Sequence, residues 1–153
     1  MQPLERGQLW VMRIRSLIAG LMISAVAAGA DLLLQEEARL RPWMLLAPVV
    51  VLLVYPILIG PSRRYRAWGY AIDREDLRIA SGVWTRSETL VPLSRVQHLD
   101  VSQGPLERAF GVCRLVLHTA GTMYSRVVLP GLARSTAEAM RDEIRSRIRE
   151  EAP

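Results

Sequence analysis

The sequence predicts an α+β membrane protein, in which a two-helix transmembrane hairpin precedes an antiparallel β-sandwich or β-barrel capped by a carboxyl-terminal helix. Three observations predict this fold class: two apolar blocks near the amino end, short alternating runs after them, and an amphipathic helical pattern at the carboxyl end. We therefore expect two regions. Residues 1–62 hold a tail and two membrane helices, at about 14–34 and 43–60, and residues 63–153 form a domain whose final helix covers about 135–150.

Both apolar blocks are long enough to cross a bilayer. Residues 16–34 contain one charged residue, Asp31, and residues 43–60 contain none. About 20 apolar residues at ~1.5 Å rise per residue span the ~30 Å hydrocarbon layer. Since Asp31 lies at the far end of the first block, we expect it at the outer interface. An alternative stays open for the first block, because arginines precede an apolar run that ends in the small residues 28–30 before Asp31, as in a cleavable signal peptide.

The distribution of arginine predicts the orientation of the hairpin. All 20 basic residues are arginine. Three lie before the first block, two in the connector and three after the second block: Arg6, Arg13, Arg15; Arg39, Arg41; and Arg63, Arg64, Arg66. Because positive residues favour the cytoplasmic side, we expect a multi-pass protein of the cell inner membrane with both termini in the cytoplasm. Arg63, Arg64 and Arg66 are then membrane-surface residues that orient the second helix.

The first helix also carries a pattern of small residues. Gly20, Ser24 and Ala28 recur every four positions. Small side chains at this spacing let two helices approach closely in lipid. We predict that these three residues form a helix-packing face, and the alternative is that Gly and Ala are simply common in membrane helices.

The region from residue 63 onward has the pattern of an antiparallel sheet. Apolar and polar residues alternate in runs separated by turn residues, at 68–72, 77–80, 83–91, 99–101, 113–117 and 127–129. Such runs are typical of strands with one buried face. Pro105 to Phe110 fits a single helical turn that ends at Gly111.

The carboxyl end has the pattern of an amphipathic helix. Ser135 and Glu138 have the spacing of a capping box. Apolar residues then recur at steps of three and four, at Ala137, Met140, Ile144 and Ile148. We expect this helix to cover the strands.

Six segments of this region are together similar to one known family. They are Tyr70–Asp73, Gly82–Trp84, Val91–Gln97, Gln103–Gly111, Leu117–Gly121 and Leu129–Leu132. With them, the chain resembles the YdbS-like family of bacterial membrane-flanked pleckstrin-homology-like (PH-like) proteins over essentially its whole length. The resemblance implies a PH-like fold, with two sheets in a partly open barrel closed by the final helix. It also implies a larger multi-domain relative nearby and a role in envelope stress or antimicrobial-peptide resistance. It implies no catalytic or ligand-binding residues.

The residue types needed for catalysis or metal binding are sparse. One cysteine, Cys113, and two histidines, His98 and His118, make too small a ligand set for a zinc site. The sequence has no phosphate-binding glycine motif, and its basic residues alternate with acids without an aromatic platform. The turn at 73–76 is net negative and would repel a phosphate. We therefore expect no enzyme, no cofactor and no nucleic-acid binding.

These observations favour a protein-interaction or assembly module at the inner membrane. The expected partners are the lipid bilayer and another membrane protein, such as a larger multi-domain relative, and the sequence is also compatible with a homo-oligomer. Trp84 is the first candidate for the interface, because strand alternation places it with Arg86 and Glu88 rather than in the core. Phe110 and Leu106 are further candidates. The alternative functions are an anionic-lipid surface sensor and an accessory subunit of a transporter or envelope enzyme.

Overall fold

The chain folds into two compact units. We call residues 12–63 the helical unit, and residues 1–11 together with 64–153 the globular unit. A computed structural model describes residues 1–38, 44, 46–73, 75–120 and 126–151. The sequence places the whole of 1–62 in the membrane region, whereas the structure groups 1–11 with the globular unit because Leu4 joins its hydrophobic core.

Two apolar helices account for the helical unit. The first, α1, covers Arg6–Ala38, and the second consists of α2, Leu46–Leu58, and α3, Gly60–Ala67. The stretches Arg6–Leu34 and Leu46–Ala67 are long and apolar enough to cross a membrane. Helix α1 extends beyond the predicted 14–34 at both ends, and α3 continues the second helix beyond its predicted end at 60, while its predicted start at 43 lies outside the described residues. Because α1 has 33 residues, it is about 50 Å long and exceeds the thickness of a hydrocarbon layer.

The first apolar helix contacts the second at a glycine. Gly20 is buried, and a Cβ atom added to it would overlap the side chain of Ile57 in α2. Ser24 and Ala28 are half-buried. The missing side chain at Gly20 therefore permits the close approach of α1 and α2. Asp31, near the end of α1, is only 4% exposed.

Gly20→Ala is expected to destabilise the hairpin by about 1 kcal/mol, because the new methyl group would overlap Cδ1 of Ile57 and this side chain would have to shift. Gly29→Ala is the matched control in the same helix, since no atom lies within 4 Å of a Cβ added there. Thermal unfolding of the full chain in a mild detergent measures both effects. Equal melting temperatures for the two variants would contradict a tight crossing at Gly20.

Two separate antiparallel sheets build the globular unit. The first has the order β1-β2-β3, with β1 at Gly69–Ile72, β2 at Asp76–Ser81 and β3 at Ser87–Pro92. The second has the order β4-β5-β6, with β4 at Val96–Ser102, β5 at Val112–Thr119 and β6 at Arg126–Ala133. A 3₁₀ turn at Leu93–Arg95 takes the chain from one sheet to the other. In the part of the chain that the structure describes, no strands pair between the sheets, so the predicted barrel is not closed.

The core lies on the inner faces of the strands and under the last helix. Leu77 of β2 and Leu115, Leu117 and Leu129 of the second sheet are fully buried. Helix α5, Arg134–Glu151, adds the buried side chains of Ala137, Met140 and Ile144. The amphipathic pattern thus identifies the helix and its buried face correctly.

Helix α5 begins one residue before the predicted start. The helix begins at Arg134, directly after β6, so Ser135 lies inside its first turn. The Glu138 carboxylate accepts a hydrogen bond from Nε of Arg134 at 2.9 Å, as an exposed i,i+4 ion pair. The short helix α4, Pro105–Ala109, lies within the predicted 105–110 turn, and Gly111 follows it with φ +66°.

The third strand also differs from the predicted 83–91. Residues 83–85 form a bend, and the strand begins at Ser87. Gly82 causes the shift: its φ is +107°, and a Cβ atom there would collide with the carbonyl oxygen of Thr85. Only glycine fits this tight turn. Trp84 therefore lies in the turn before β3, and the strand alternation used to place it does not apply.

Candidate functional site

The amino-terminal segment covers one edge of each sheet. Gln2 exchanges two backbone hydrogen bonds with Tyr70 of β1, with N···O distances of 2.6 and 3.0 Å. Three residues later, the N–H of Glu5 donates to the carbonyl of Gly131 in β6 at 2.8 Å. Between these contacts, the side chain of Leu4 enters the core and is 3% exposed. Residues 1–5 thus link the outer edges of β1 and β6.

The start of α1 continues this contact with the globular unit. Gln8 is 3% exposed and lies so close to Gly131 that a Cβ atom on the glycine would be 2.7 Å from Cβ of Gln8. The rings of Trp10 and Phe110 are stacked, with centroids 6.5 Å apart. Phe110, a predicted interface residue, is half-buried in this stack, and Leu106 is half-buried on α4. These contacts tie α1 to the loop that follows α4.

Glu107 forms the centre of a structural polar cluster within the Gln103–Gly111 motif. It is 3% exposed, and its carboxylate accepts the backbone N–H of Gly104 at 2.7 Å. Arg114 of β5 donates to both carboxylate oxygens, at 2.5 and 3.3 Å. The side chain of Gln103 donates to the carbonyl of Val112 at 2.9 Å. The motif therefore holds α4 against β5.

The first opening in the surface is a groove beside β3, which we call the edge groove. Its volume is about 320 Å³. The lining comes from β3, the 3₁₀ turn and the facing ends of β5 and β6, and includes Leu90, Val91, Arg95, Ala120 and Val127. Among the described residues, β3 pairs with β2 alone. Leu90 is 52% exposed, so the groove combines a strand edge with an apolar side chain.

The second opening, which we call the arginine pocket, lies where the amino-terminal segment meets the end of α3 and the β2–β3 turn. Its volume is about 340 Å³, and it is lined by Met1–Pro3, Arg66–Gly69, Ala80, Gly82 and Arg86. The lining contains two arginines and no acid within the described ranges. Trp84, between Gly82 and Arg86, is 84% exposed.

The three arginines predicted for the membrane surface have different surroundings. Arg63 donates to the hydroxyl of Tyr55 at 2.9 Å within the helical unit. Arg64 is exposed on α3. Arg66 alone of the three lines the arginine pocket.

The residues considered for chemistry lie in two places. His98 and His118 are register partners on β4 and β5, and Asp100 lies beside both, with N···O distances of 2.9 and 3.5 Å. Over the described residues, no group of three or more His, Cys, Asp or Glu side chains could hold a metal ion. Cys113 is buried, its thiol faces the carbonyl of Leu132 at 3.5 Å, and burial raises the pKa of this thiol.

Two apolar helices joined to a two-sheet module under a terminal helix define the class: a membrane protein that carries a PH-like domain. The chain belongs to the bacterial PH domain family, since the family model described as "Bacterial PH domain" matches residues 14–148. This membership confirms the resemblance inferred from the sequence.

A curated relative supports the same assignment. The chain is 33% identical over 91 residues to the UPF0699 transmembrane protein YdbS of Bacillus subtilis (strain 168). The match covers 60% of this chain and 55% of the relative, so the chain spans about half the length of that protein. No solved structure matches the chain.

Proposed function

We propose that this is a non-enzymatic, multi-pass protein of the inner membrane whose globular unit is a cytoplasmic protein-interaction or assembly module. The edge groove is the observation that supports it. The amino-terminal segment covers the β1 and β6 edges, whereas no strand of the described ranges pairs with the outer edge of β3, beside the exposed Leu90. An exposed strand edge is a template for pairing with another chain, and its side-chain pocket supplies specificity.

The partner we propose is an extended segment of another membrane protein. Leu90 and Val127 are apolar residues of the lining, and they fit a segment that carries an apolar side chain. Glu88 and Arg95 add one charge of each sign to the lining, which favours polar flanks on that segment. The family resemblance suggests a larger multi-domain relative as the partner. It also suggests that the complex has a role in envelope stress or antimicrobial-peptide resistance.

The globular unit contains chain segments from both sides of the helical unit, and this supports the proposed topology. Residues 1–11 and 64–151 pack together in one unit, and chain segments that share a core lie on the same side of a bilayer. The intervening residues would then cross an even number of times, in agreement with two membrane helices. The arginine counts favour the cytoplasm as the side that holds this unit.

Single-cysteine labelling tests the topology. In a Cys113→Ser background, Ala38→Cys is expected to react with a membrane-impermeant maleimide in intact spheroplasts, because it lies beyond the first span. Ser146→Cys, exposed on α5, is the matched control and is expected to react only after lysis. The reverse pattern would contradict the orientation. A mature chain that begins at Asp31 would support the signal-peptide alternative.

Co-purification tests the edge groove. The full chain, isolated in a mild detergent, is expected to retain a membrane-protein partner that Leu90→Arg releases, with at least a tenfold lower yield in quantitative mass spectrometry. Ala139→Arg, at an exposed position on α5, is the control and is expected to retain the partner. A partner kept equally by wild type and by folded Leu90→Arg would reject the edge groove as the interface. Recovery of a second copy of this chain alone would reject a different protein as the partner.

A further inference from the structure

We propose that the arginine pocket binds the phosphate of an anionic phospholipid headgroup. This site goes beyond the proposed function: it needs a bilayer beside α3 but no protein partner. It also lies away from the net-negative β1–β2 turn, which the sequence excludes as a phosphate site.

The pocket is positively charged. Arg66 and Arg86 come from α3 and from the turn before β3, and both line the same cavity. Neither forms an ion pair with another described residue, and the described lining holds no acid. By contrast, the polar groove between β4 and α5 places Asp100 and Glu138 among its arginines, where they compete for an anion. Two unopposed guanidinium groups favour a phosphate, whose oxygens accept their hydrogen bonds in pairs.

Arg66 lies a short distance along α3 from the second apolar block. Helix α3 directly follows the second apolar block, and Arg66 lies six residues after Gly60. At ~1.5 Å rise per residue, this is ~9 Å, close to the ~8 Å Debye length at physiological ionic strength. Arg66 itself therefore lies within about one Debye length of a leaflet surface at Gly60, and the negative potential of an anionic leaflet there would reach its guanidinium.

The rim of the pocket favours a lipid over a soluble phosphate. Met1 lines the pocket and is 57% exposed, and Trp84 in the adjoining turn is 84% exposed. Tryptophan favours the membrane interface, where its ring contacts acyl chains and its N–H contacts polar groups. The volume of about 340 Å³ lies at the lower end of the range for small-molecule sites, about 300–1,000 Å³. It fits a headgroup whose acyl chains remain outside.

Calorimetric titration of the purified full chain in a neutral detergent tests the site. The probes are dioctanoyl phosphatidylglycerol, dioctanoyl phosphatidylcholine and sn-glycerol 3-phosphate. We expect phosphatidylglycerol to bind at least tenfold more tightly than either of the others. The double variant Arg66→Gln, Arg86→Gln is expected to bind phosphatidylglycerol roughly 10- to 30-fold more weakly. The double variant Arg126→Gln, Arg145→Gln removes the same charge from exposed positions outside the pocket and is expected to stay within about twofold of wild type.

A second variant keeps the proposal testable if the pocket double variant fails to fold. Trp84→Ala removes a side chain that is 84% exposed and is expected to weaken phosphatidylglycerol binding several-fold while leaving the binding of glycerol phosphate unchanged. Three results would overturn the proposal: equal losses in the two arginine double variants, equal binding of phosphatidylcholine, or glycerol phosphate binding as tightly as phosphatidylglycerol. The last result would assign the pocket to a soluble phosphate. Leu90→Arg is expected to retain wild-type lipid binding, so failure of the edge groove and failure of this pocket are distinguishable.

Discussion

Replacing Leu4 by alanine is expected to lower the free energy of unfolding of the globular unit by about 2–5 kcal/mol. Leu4 is 3% exposed and belongs to the same hydrophobic core as Tyr70 and Leu132, although it precedes the first membrane helix. Truncating it leaves a cavity where the amino-terminal segment crosses from one sheet to the other. Thermal or chemical unfolding of the full chain in detergent, followed by tryptophan fluorescence, measures the loss.

Leu90→Ala is the matched control for Leu4→Ala. It removes the same atoms from a side chain that is 52% exposed, so we expect a change within about 0.5 kcal/mol. Similar losses in the two variants would show that residues 1–5 add nothing specific to the core. A fragment of the globular unit that begins after the second helix would lack Leu4 altogether, so interaction experiments require the full chain.

Replacing Arg114 by methionine is expected to destabilise the globular unit by about 3–5 kcal/mol. The variant leaves the Glu107 carboxylate, which is 3% exposed, without its guanidinium partner. The backbone N–H of Gly104 remains as a donor, but it carries no compensating charge. Equilibrium unfolding at neutral pH measures the effect.

Two further variants separate this ion pair from general effects of charge. Arg108→Met removes an exposed arginine from α4 and is expected to change stability by less than about 0.5 kcal/mol. The double variant Glu107→Gln, Arg114→Met is expected to be more stable than Arg114→Met alone, because it no longer buries the Glu107 carboxylate without the Arg114 guanidinium. A double variant less stable than the single variant would contradict this account of the cluster.

The parts of the fold that depend on local pattern could be predicted from the sequence. Two apolar blocks predict two helices, because a hydrocarbon layer sets the length of any helix that crosses it. Alternation at Leu115 and Leu117 predicts the strand, although Val116 between them is buried as well, and the repeat from Ala137 to Ile144 predicts the face of α5 that is buried. The family assignment also follows from the sequence, since its segments occur in order along the chain.

The parts that depend on distant residues could not be predicted in the same way. Leu4 and Gln8 lie in a short polar tail, and nothing within the tail indicates that both are buried. The arginine pocket requires Arg66 and Arg86 to converge from two elements, which local periodicity does not report. At Trp84 the local pattern is itself misleading, because the turn at Gly82 delays the start of β3. The alternation begins only at Ser87, after the tryptophan.

The link that residues 1–5 form between β1 and β6 also determines when the protein can finish folding during synthesis. Residues 1–5 are translated before the two apolar helices, whereas the strands they bind are translated after them. Leu4 therefore cannot complete its packing until Gly131 has left the ribosome. Under the proposed topology, in which both apolar helices cross the bilayer, residues 1–5 and β6 lie on the same side. A chain in which only one of the helices crossed would separate Leu4 from its core and would leave that core open to proteases.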